Sequence, residues 1–575
     1  MIKNLRIKMD DQCKTIRTNK YELVINLAGN EWYFNTPDGI APLIAANSAF
    51  VIYPVIPGTQ IRGIQINEYD RLPNGCRRIR IRGEIAGDVE GELGNELFLF
   101  EDRVVCDAWY CAKKDHALEH WAIAPEGSML TAEKIHVYAG QNRGRDENGT
   151  VFPAASVDLS TKTHNWMYAG AVPRMLFYRG GFGVLFGGTR LAGDFGMELK
   201  TENGKIRHFR FNCGGESSPQ FIRAGEIRLG PRLQIEVSFS LQHDEAHATF
   251  TGSLINDGIL PPKYYQPEDL AWRRPWYCTW GDQVGTAKSM LRQDQAGKED
   301  YDAIKKVLTQ AMVLKAARLI RKENLNIGTI IIDDGWQDKR GDWNLAPEKF
   351  PDMRGLVAEL HAMDFKVVIW WAPFLVEPSA QILGKRGFIA GPTPQHKAMV
   401  IDYGNPDVRK WICAKFETWF SNNAGGWNVD GLKLDFLPEK IYPENQRTDP
   451  AWRGEENCFY KLLEMIDTHI RKHKISPGLL HVPYNPHYMR FAVAVHGEER
   501  FDNDLDYLRL RPALIKALIP GTWYAPHFNY NTDYVPDFIR AVKRAGGIVQ
   551  IGKLIGPDVT SALISEMHEL LQDAG

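Results

Sequence analysis

Past residue 265 the chain settles into one rhythm, in which short apolar runs alternate with stretches of helical periodicity. The runs are Arg274–Trp280, Ile327–Trp336, Lys366–Phe374, Asp430–Phe436, Leu479–Tyr484, Glu499–Asp504, Thr522–His527 and Gly546–Gly552. Helical stretches such as Asp300–Lys322 and Asp407–Phe420 separate them. Eight such units in about 300 residues predict a (β/α)8 barrel. The short stretch Ala398–Asp402 is expected in a loop rather than as a ninth strand. A doubly wound open sheet is the rival architecture. It lacks support because no Gly-x-Gly-x-x-Gly turn is present, which also argues against a dinucleotide.

Before residue 265 the pattern differs. Short alternating runs recur between turn signals, as at Tyr21–Asn26, Arg78–Arg82, Glu96–Phe100, Lys134–Tyr138, Ile206–Phe211 and Gln234–Leu241. Many short strands with few helical patterns predict an antiparallel β-sandwich. The Pro-rich segment from Pro261 to Pro267 reads as a linker. The expected organisation is therefore a β-sandwich over residues 1–265 and a catalytic barrel over 266–575.

Composition narrows the function. With a net charge of −2 and 24% charged residues the chain carries no basic field for nucleic acid. No apolar run is long enough to span a membrane, and the N-terminus shows no apolar signal core. The eight cysteines are scattered without a Cys-x-x-Cys pair, which fits reduced thiols and a cytoplasmic setting, not a zinc site. Aromatics are frequent, with 16 Trp and 21 Tyr, and such rings serve as flat platforms for sugars as well as core.

The chemistry concentrates at the strand ends, which a barrel brings to one face. Thr329-Ile-Ile-Ile-Asp333-Asp334-Gly-Trp336 is a buried-type strand that ends in two carboxylates. Ionised carboxylates are costly to bury without partners, although Asp-Gly also favours a plain turn. A hundred residues on, Asp430-Gly-Leu-Lys433-Leu-Asp435-Phe436 brings a lysine and an aspartate to one strand face. Trp280, Asp282, Trp371, Tyr484, Asn485, Arg500, Asp502, Asp504 and His527 fall at other expected ends. Carboxylates from different strands, with tryptophans and a few cations, suit glycosidic cleavage. Phosphoryl transfer would want a phosphate-cradling glycine loop, and a metal hydrolase a histidine cluster; the sequence displays neither. Neither a cofactor nor a metal is expected.

Five motifs in order resemble glycoside hydrolase family 36, in the clan of α-galactosidases that also holds families 27 and 31. They are Trp276-Tyr-Cys-Thr-Trp280, Ile332-Asp333-Asp334-Gly-Trp336-Gln, Ile369-Trp370-Trp371-Ala-Pro-Phe374, Lys433-Leu-Asp435-Phe436 and Arg500-Phe-Asp-Asn-Asp504. The resemblance covers roughly residues 274 to 511. It implies a retaining two-carboxylate mechanism with Asp435 as nucleophile and Asp504 as acid/base. Asp502 is the competing candidate for the acid, because the Ser-Asp-Asn-Thr-Asp run of other members aligns with Phe501-Asp502-Asn-Asp504 and selects it; the two share a strand face, so alternation does not choose between them. It further implies substrate contacts from Asp333, Asp334, Trp280, Trp371, Lys433, Arg500 and Asp502. The implied partner is a small carbohydrate with a terminal α-galactosyl group. Alternatives are raffinose-synthase-like galactosyl transfer, an α-N-acetylgalactosaminidase, and a barrel that binds sugar without turnover. With the barrel expected to run almost to residue 575, no room is expected for the C-terminal β-domain that many family members carry, which leaves a homo-oligomer and substrate access open.

Overall fold

The computed structural model describes residues 6–9, 12–37, 42–69, 72, 76–125, 127–138, 156–158, 165–170, 174–190, 195–202, 205–213, 220–239, 243–260, 268–290, 301–392, 398–436, 448–449, 452, 455–475, 477–482, 488, 490–497, 515–516, 521–527 and 531–572. The chain divides into two compact units, Met1–Leu260 and a second that holds Pro261–Ile441 and Cys458–Gly575.

The first unit is rich in antiparallel sheet. Its nine-stranded sheet is built around Arg77–Gly87, Gly91–Leu99, Arg103–Ala112 and Ile227–Ser238. Arg77–Gly87 shows why these residues choose strand. Ile79, Ile81 and Ile85 are buried while the arginines between them face outward, the period-two pattern of a half-covered sheet. The apolar faces meet in one core that includes Trp32, Tyr110 and Trp121. A helix at His243–Asn256, which the strand-rich sequence reading did not anticipate, packs Phe250 and Leu254 against Leu176 and Leu185.

The second unit is a parallel β/α barrel. Six strands pair side by side in parallel. They are Trp276–Cys278, Thr329–Ile332, Lys366–Trp371, Gly431–Leu434 and Gly478–Leu480, with Gln550–Ile551 beside the first. Ala494–Gly497 and Trp523–Pro526 form a further parallel pair. The strand found between the fifth and Trp523–Pro526 is thus Ala494–Gly497. The run expected there, Glu499–Asp504, lies outside the described residues. Two further expectations change. Met399–Ile401 is a strand, held in a small antiparallel sheet between Leu375–Val376 and Ile389–Pro392. The expected helix over 300–322 is two, Tyr301–Val307 and Gln310–Lys322. The second is capped at Thr309, whose hydroxyl accepts from the Met312 N–H.

Side chains from six strands fill the barrel: Trp276, Cys278, Ile331, Val368, Leu480, Ala494 and Ala525, with Trp272 at the same core. Trp272 explains a glycine. A β-carbon on Gly478 would lie 2.1 Å from its indole, so the fifth strand approaches the ring only without a side chain. No helix among the described residues is long and apolar enough to cross a membrane.

Asp282 ties the first strand's loop to the eighth. It is fully buried on the helix Trp280–Met290 and accepts from the N–H groups of Leu554, Ile555 and Gly556 and from the Tyr277 hydroxyl. Asp282→Ala leaves those three amides, two of them buried, without this acceptor. It is expected to destabilise the barrel by about 3 kcal/mol, read as a lowered midpoint in urea unfolding followed by tryptophan fluorescence.

Candidate active site

The second strand ends in Asp333, and its backbone N–H donates to the Thr279 hydroxyl at 3.0 Å on the first strand's turn. That side chain is 2% exposed, and its carboxylate is saturated on one side. Oδ2 accepts from Lys433 Nζ at 2.6 Å and from the Cys278 thiol at 3.0 Å. Oδ1 accepts from the Asp334 N–H at 2.8 Å. Lys433 is itself 3% exposed. Burial works against its charge, but the facing Asp333, then Cys278 and Asp435, outweigh burial and raise the ammonium above the ordinary lysine range. Burial first, and then the Asp333 carboxylate, push the Cys278 thiol well up, so it stays a protonated donor. The first, second and fourth strands are thus joined by one charged cluster.

Asp334 faces another way. Its Oδ1 accepts from Gln337 at 2.5 Å and its Oδ2 pairs with the Arg340 guanidinium. Gln283 reaches its backbone carbonyl at 2.9 Å. Each carboxylate oxygen can accept two hydrogen bonds. By that count, among the described residues, Asp334 retains one acceptor position on each oxygen and Asp333 one on Oδ1.

Asp435 follows the fourth strand and is only half-buried. Two donors orient it: the Trp370 indole N–H at 2.8 Å on Oδ2 and the Phe436 N–H at 2.7 Å on Oδ1. Phe436 holds a left-handed backbone, φ 48°, a conformation that a bulky residue adopts only where its surroundings enforce it. Among the described residues, the result is a carboxylate with fixed direction and an open side, two residues beyond a buried cation.

The structure alters one sequence reading here. Trp371, expected among the substrate contacts, is wholly buried against Phe416 and Trp419 of the helix Pro406–Phe420. Trp370 is the ring that touches Asp435, because Trp370 is in register with Lys433 and Trp371 with Leu434. Trp280 is half-buried and stacks on Tyr301 at 6.3 Å. His527 is buried with its ring 5.6 Å from that of His481. Tyr484, Asn485, Arg500, Asp502 and Asp504 lie outside the described residues. Arg340, Gln337 and Cys278 were not singled out from the sequence. The Asp334–Arg340 spacing of six residues across a Gly-Trp turn was the one available signal. Among the described residues no group of three His, Cys, Asp or Glu is placed to hold a metal ion.

Comparison with known proteins agrees with this architecture. The family model "Glycosyl hydrolases family 31 TIM-barrel domain" matches residues 298–492. A 1,4-alpha-glucan branching enzyme from Mycobacterium tuberculosis is 25% identical over 144 residues, covering 22% of this chain and 19% of the relative. The myogenesis-regulating glycosidase of Mus musculus is 24% identical over 159 residues, 25% of this chain and 22% of that one. The A type blood alpha-D-galactosamine galactosaminidase of Flavonifractor plautii is 28% identical over 239 residues, 36% of this chain and 21% of that one. The chain thus spans about a fifth of the length of these relatives. Among solved structures, a GH36 alpha-galactosidase from Geobacillus stearothermophilus superposes with a TM-score of 0.59 at 13% identity, covering 98% of this chain and 85% of that one. The galactosidase domain of an alpha-galactosidase-sucrose kinase gives 0.61 at 11% identity, with the same 98% and 85% coverage.

Removing one member of the buried pair leaves the other charge stranded. Lys433→Ala is expected to cost about 3–5 kcal/mol, measured by chemical denaturation. The raised lysine sets the pH window. Its contribution is complete below the value of an unfolded lysine, about 10.4, and is lost only as pH climbs beyond that through the folded value. Between pH 6 and 9, therefore, ionisation of Lys433 is expected to add no pH dependence to the unfolding free energy of the wild type, measured by chemical denaturation at each pH. The fold is like that of the GH36 alpha-galactosidase structures, and residues 298–492 match the family 31 TIM-barrel model.

Proposed function

We propose that the protein is a retaining glycoside hydrolase that removes terminal α-linked galactosyl residues by double displacement. The observation that carries this reading is Asp435, half-buried at the mouth of the fourth strand and aimed by Trp370 and Phe436. A nucleophilic carboxylate needs that combination of a free approach and a fixed direction. Lys433 supports it from two residues back, where its charge is neutralised mainly by Asp333. Asp435 attacks the anomeric carbon and forms a glycosyl-enzyme. Asp504, beyond the sixth strand, protonates the leaving oxygen and then activates water, with Arg500 and Asp502 beside it in sequence.

Asp333 and Asp334 suit the sugar's O4 and O6. An axial O4 brings those hydroxyls together, within reach of two adjacent carboxylates that retain open acceptor positions. Solved relatives in this fold include alpha-galactosidases in complex with raffinose and with stachyose, which supports a galactosyl substrate. An amino sugar is the second reading, supported by the likeness to the Flavonifractor plautii galactosaminidase. The accompanying architecture we propose is a β-sandwich at 1–265 and a closed (β/α)8 barrel at 266–575, in a cytoplasmic protein without cofactor. A panel of aryl α-glycosides (galactoside, N-acetylgalactosaminide, glucoside and xyloside) with the released sugar identified tests the assignment. Absence of turnover on every member overturns it.

Asp435→Asn is expected to lower kcat by at least about a thousandfold, and azide to rescue Asp435→Gly with inverted product. Turnover by Asp435→Asn near that of wild type would remove the nucleophile assignment. The acid is tested by leaving-group dependence. Asp504→Ala should slow natural α-galactosides far more than dinitrophenyl galactoside, with azide relieving the accumulated intermediate and retaining configuration. Asp502→Ala should give a milder defect that is uniform across leaving groups. The reverse pattern transfers the role to Asp502.

A further inference from the structure

One buried cation stands outside the mechanism described so far. Arg340, 8% exposed, pairs with Asp334, and no step above uses it. Its guanidinium carbon lies 5.4 Å from the ring centre of Trp370 and 5.4 Å from that of Phe436. Those two rings meet edge to face at 6.2 Å and 86°, and they belong to the two residues that donate to Asp435. One planar cation therefore touches the carboxylate proposed to bind sugar hydroxyls and both residues that aim the proposed nucleophile. Its own position is fixed from behind. Glu377 donates its N–H to the Arg340 carbonyl at 3.0 Å. The Glu377 carboxylate lies 3.8 Å from Arg340 Nε and is held by Lys305 at 3.0 Å. Gly341, at φ 104°, makes the turn that follows, where a β-carbon would lie 2.7 Å from Val376.

Resting on the hydrolase reading above, we infer that Arg340 is a positioning residue that couples the sugar-binding carboxylate Asp334 to the cradle of the nucleophile Asp435. A guanidinium suits this place and an ammonium does not. Its fork engages a carboxylate edge while its flat face lies on aromatic rings. Two consequences separate this role from a structural ion pair. The loss carried through Asp334 appears in KM and depends on the substrate hydroxyl that Asp334 binds. The loss carried through Trp370 and Phe436 appears in kcat and persists when Asp334 is gone.

The experiment measures kcat, KM and the thermal midpoint for wild type, Arg340→Ala, Arg340→Lys, Asp334→Ala and the double variant Arg340→Ala/Asp334→Ala. The substrates are an aryl α-galactoside and its 4-deoxy and 6-deoxy analogues. Arg340→Ala is expected to raise KM for the galactoside by about tenfold or more, and to raise it little for the deoxy analogue that Asp334→Ala also spares. The double variant is expected to share the KM of Asp334→Ala, since coupled residues are not additive, while its kcat falls by about a further tenfold. Arg340→Lys, which keeps charge but not the plane, should recover KM and leave kcat lowered. Equal penalties on all three substrates, or KM effects that multiply in the double variant, overturn the coupling and leave Arg340 a structural residue. A wild-type chain that turns over no α-glycoside overturns the hydrolase reading and this proposal with it. Multiplying KM effects in an active wild type overturn this proposal alone.

Discussion

The buried contact between Lys433 and Asp333 is the constraint on which the rest of the barrel mouth depends. Two charges withdrawn from water cost several kcal/mol each, and their attraction offsets that cost only with good geometry and further hydrogen bonds. The cluster meets both conditions: the contact is 2.6 Å, and the Cys278 thiol and Asp334 N–H complete the carboxylate. Pairs of this kind are weak evidence for stability, since well-packed apolar residues often do as well. What an apolar replacement would not supply is direction. The cluster joins the first, second and fourth strands at one depth, so the strand ends carrying Asp334 and Asp435 are set relative to each other by a contact between fixed charges.

Around that cluster the polar groups fall into two classes. Asp333 and Lys433 use nearly all their hydrogen-bonding capacity internally. Among the described residues Asp435 and Asp334 are each held by two donors and keep acceptor positions open. The first class mainly fixes, with one acceptor position left on Asp333 Oδ1 among the described residues, and the second is available to a ligand. Preorganisation of this type matters because a carboxylate already aimed need not be reoriented as charge develops. The left-handed Phe436 belongs to the same device. Its conformation is costly for a bulky residue, and it turns the Phe436 N–H back onto Asp435.

Much of this was legible in the chain itself. Strand alternation placed Lys433 and Asp435 on one face, and the Asp333-Asp334 pair declared itself because charges at the end of an apolar strand need partners. Other parts were not legible, for physical reasons. The abundance of tryptophan hints at sugar platforms. Yet Trp32, Trp121, Trp272, Trp276, Trp336, Trp343, Trp370, Trp371 and Trp419 are all among the largest fully buried side chains. Composition counts rings without saying which way they face. The helix His243–Asn256 escaped because its buried stripe, Ala246, Phe250 and Leu254, is thin and lies beside the buried polar His247 and Thr251. Arg340 escaped because a lone arginine in a polar loop carries no period at all.

The exchange of Trp371 for Trp370 shows where such reading stops. Adjacent residues on a strand face opposite ways, so only one ring of Trp370-Trp371 can point into the barrel. Periodicity within the third strand alone cannot decide which, because Val367, Val368, Ile369, Trp370 and Trp371 are all buried and apolar on both faces. The decision is made by the neighbouring strand. Lys433 must point inward to reach Asp333, and parallel pairing sets Trp370 beside Lys433. The inward face of the third strand is therefore fixed by a charge on the fourth. A register shift of one residue would bring Trp371 inward, move the outward ring off Phe416 and Trp419, and deprive Asp435 of its indole donor. The buried ion pair thus selects the aromatic partner of the carboxylate two residues further along the strand.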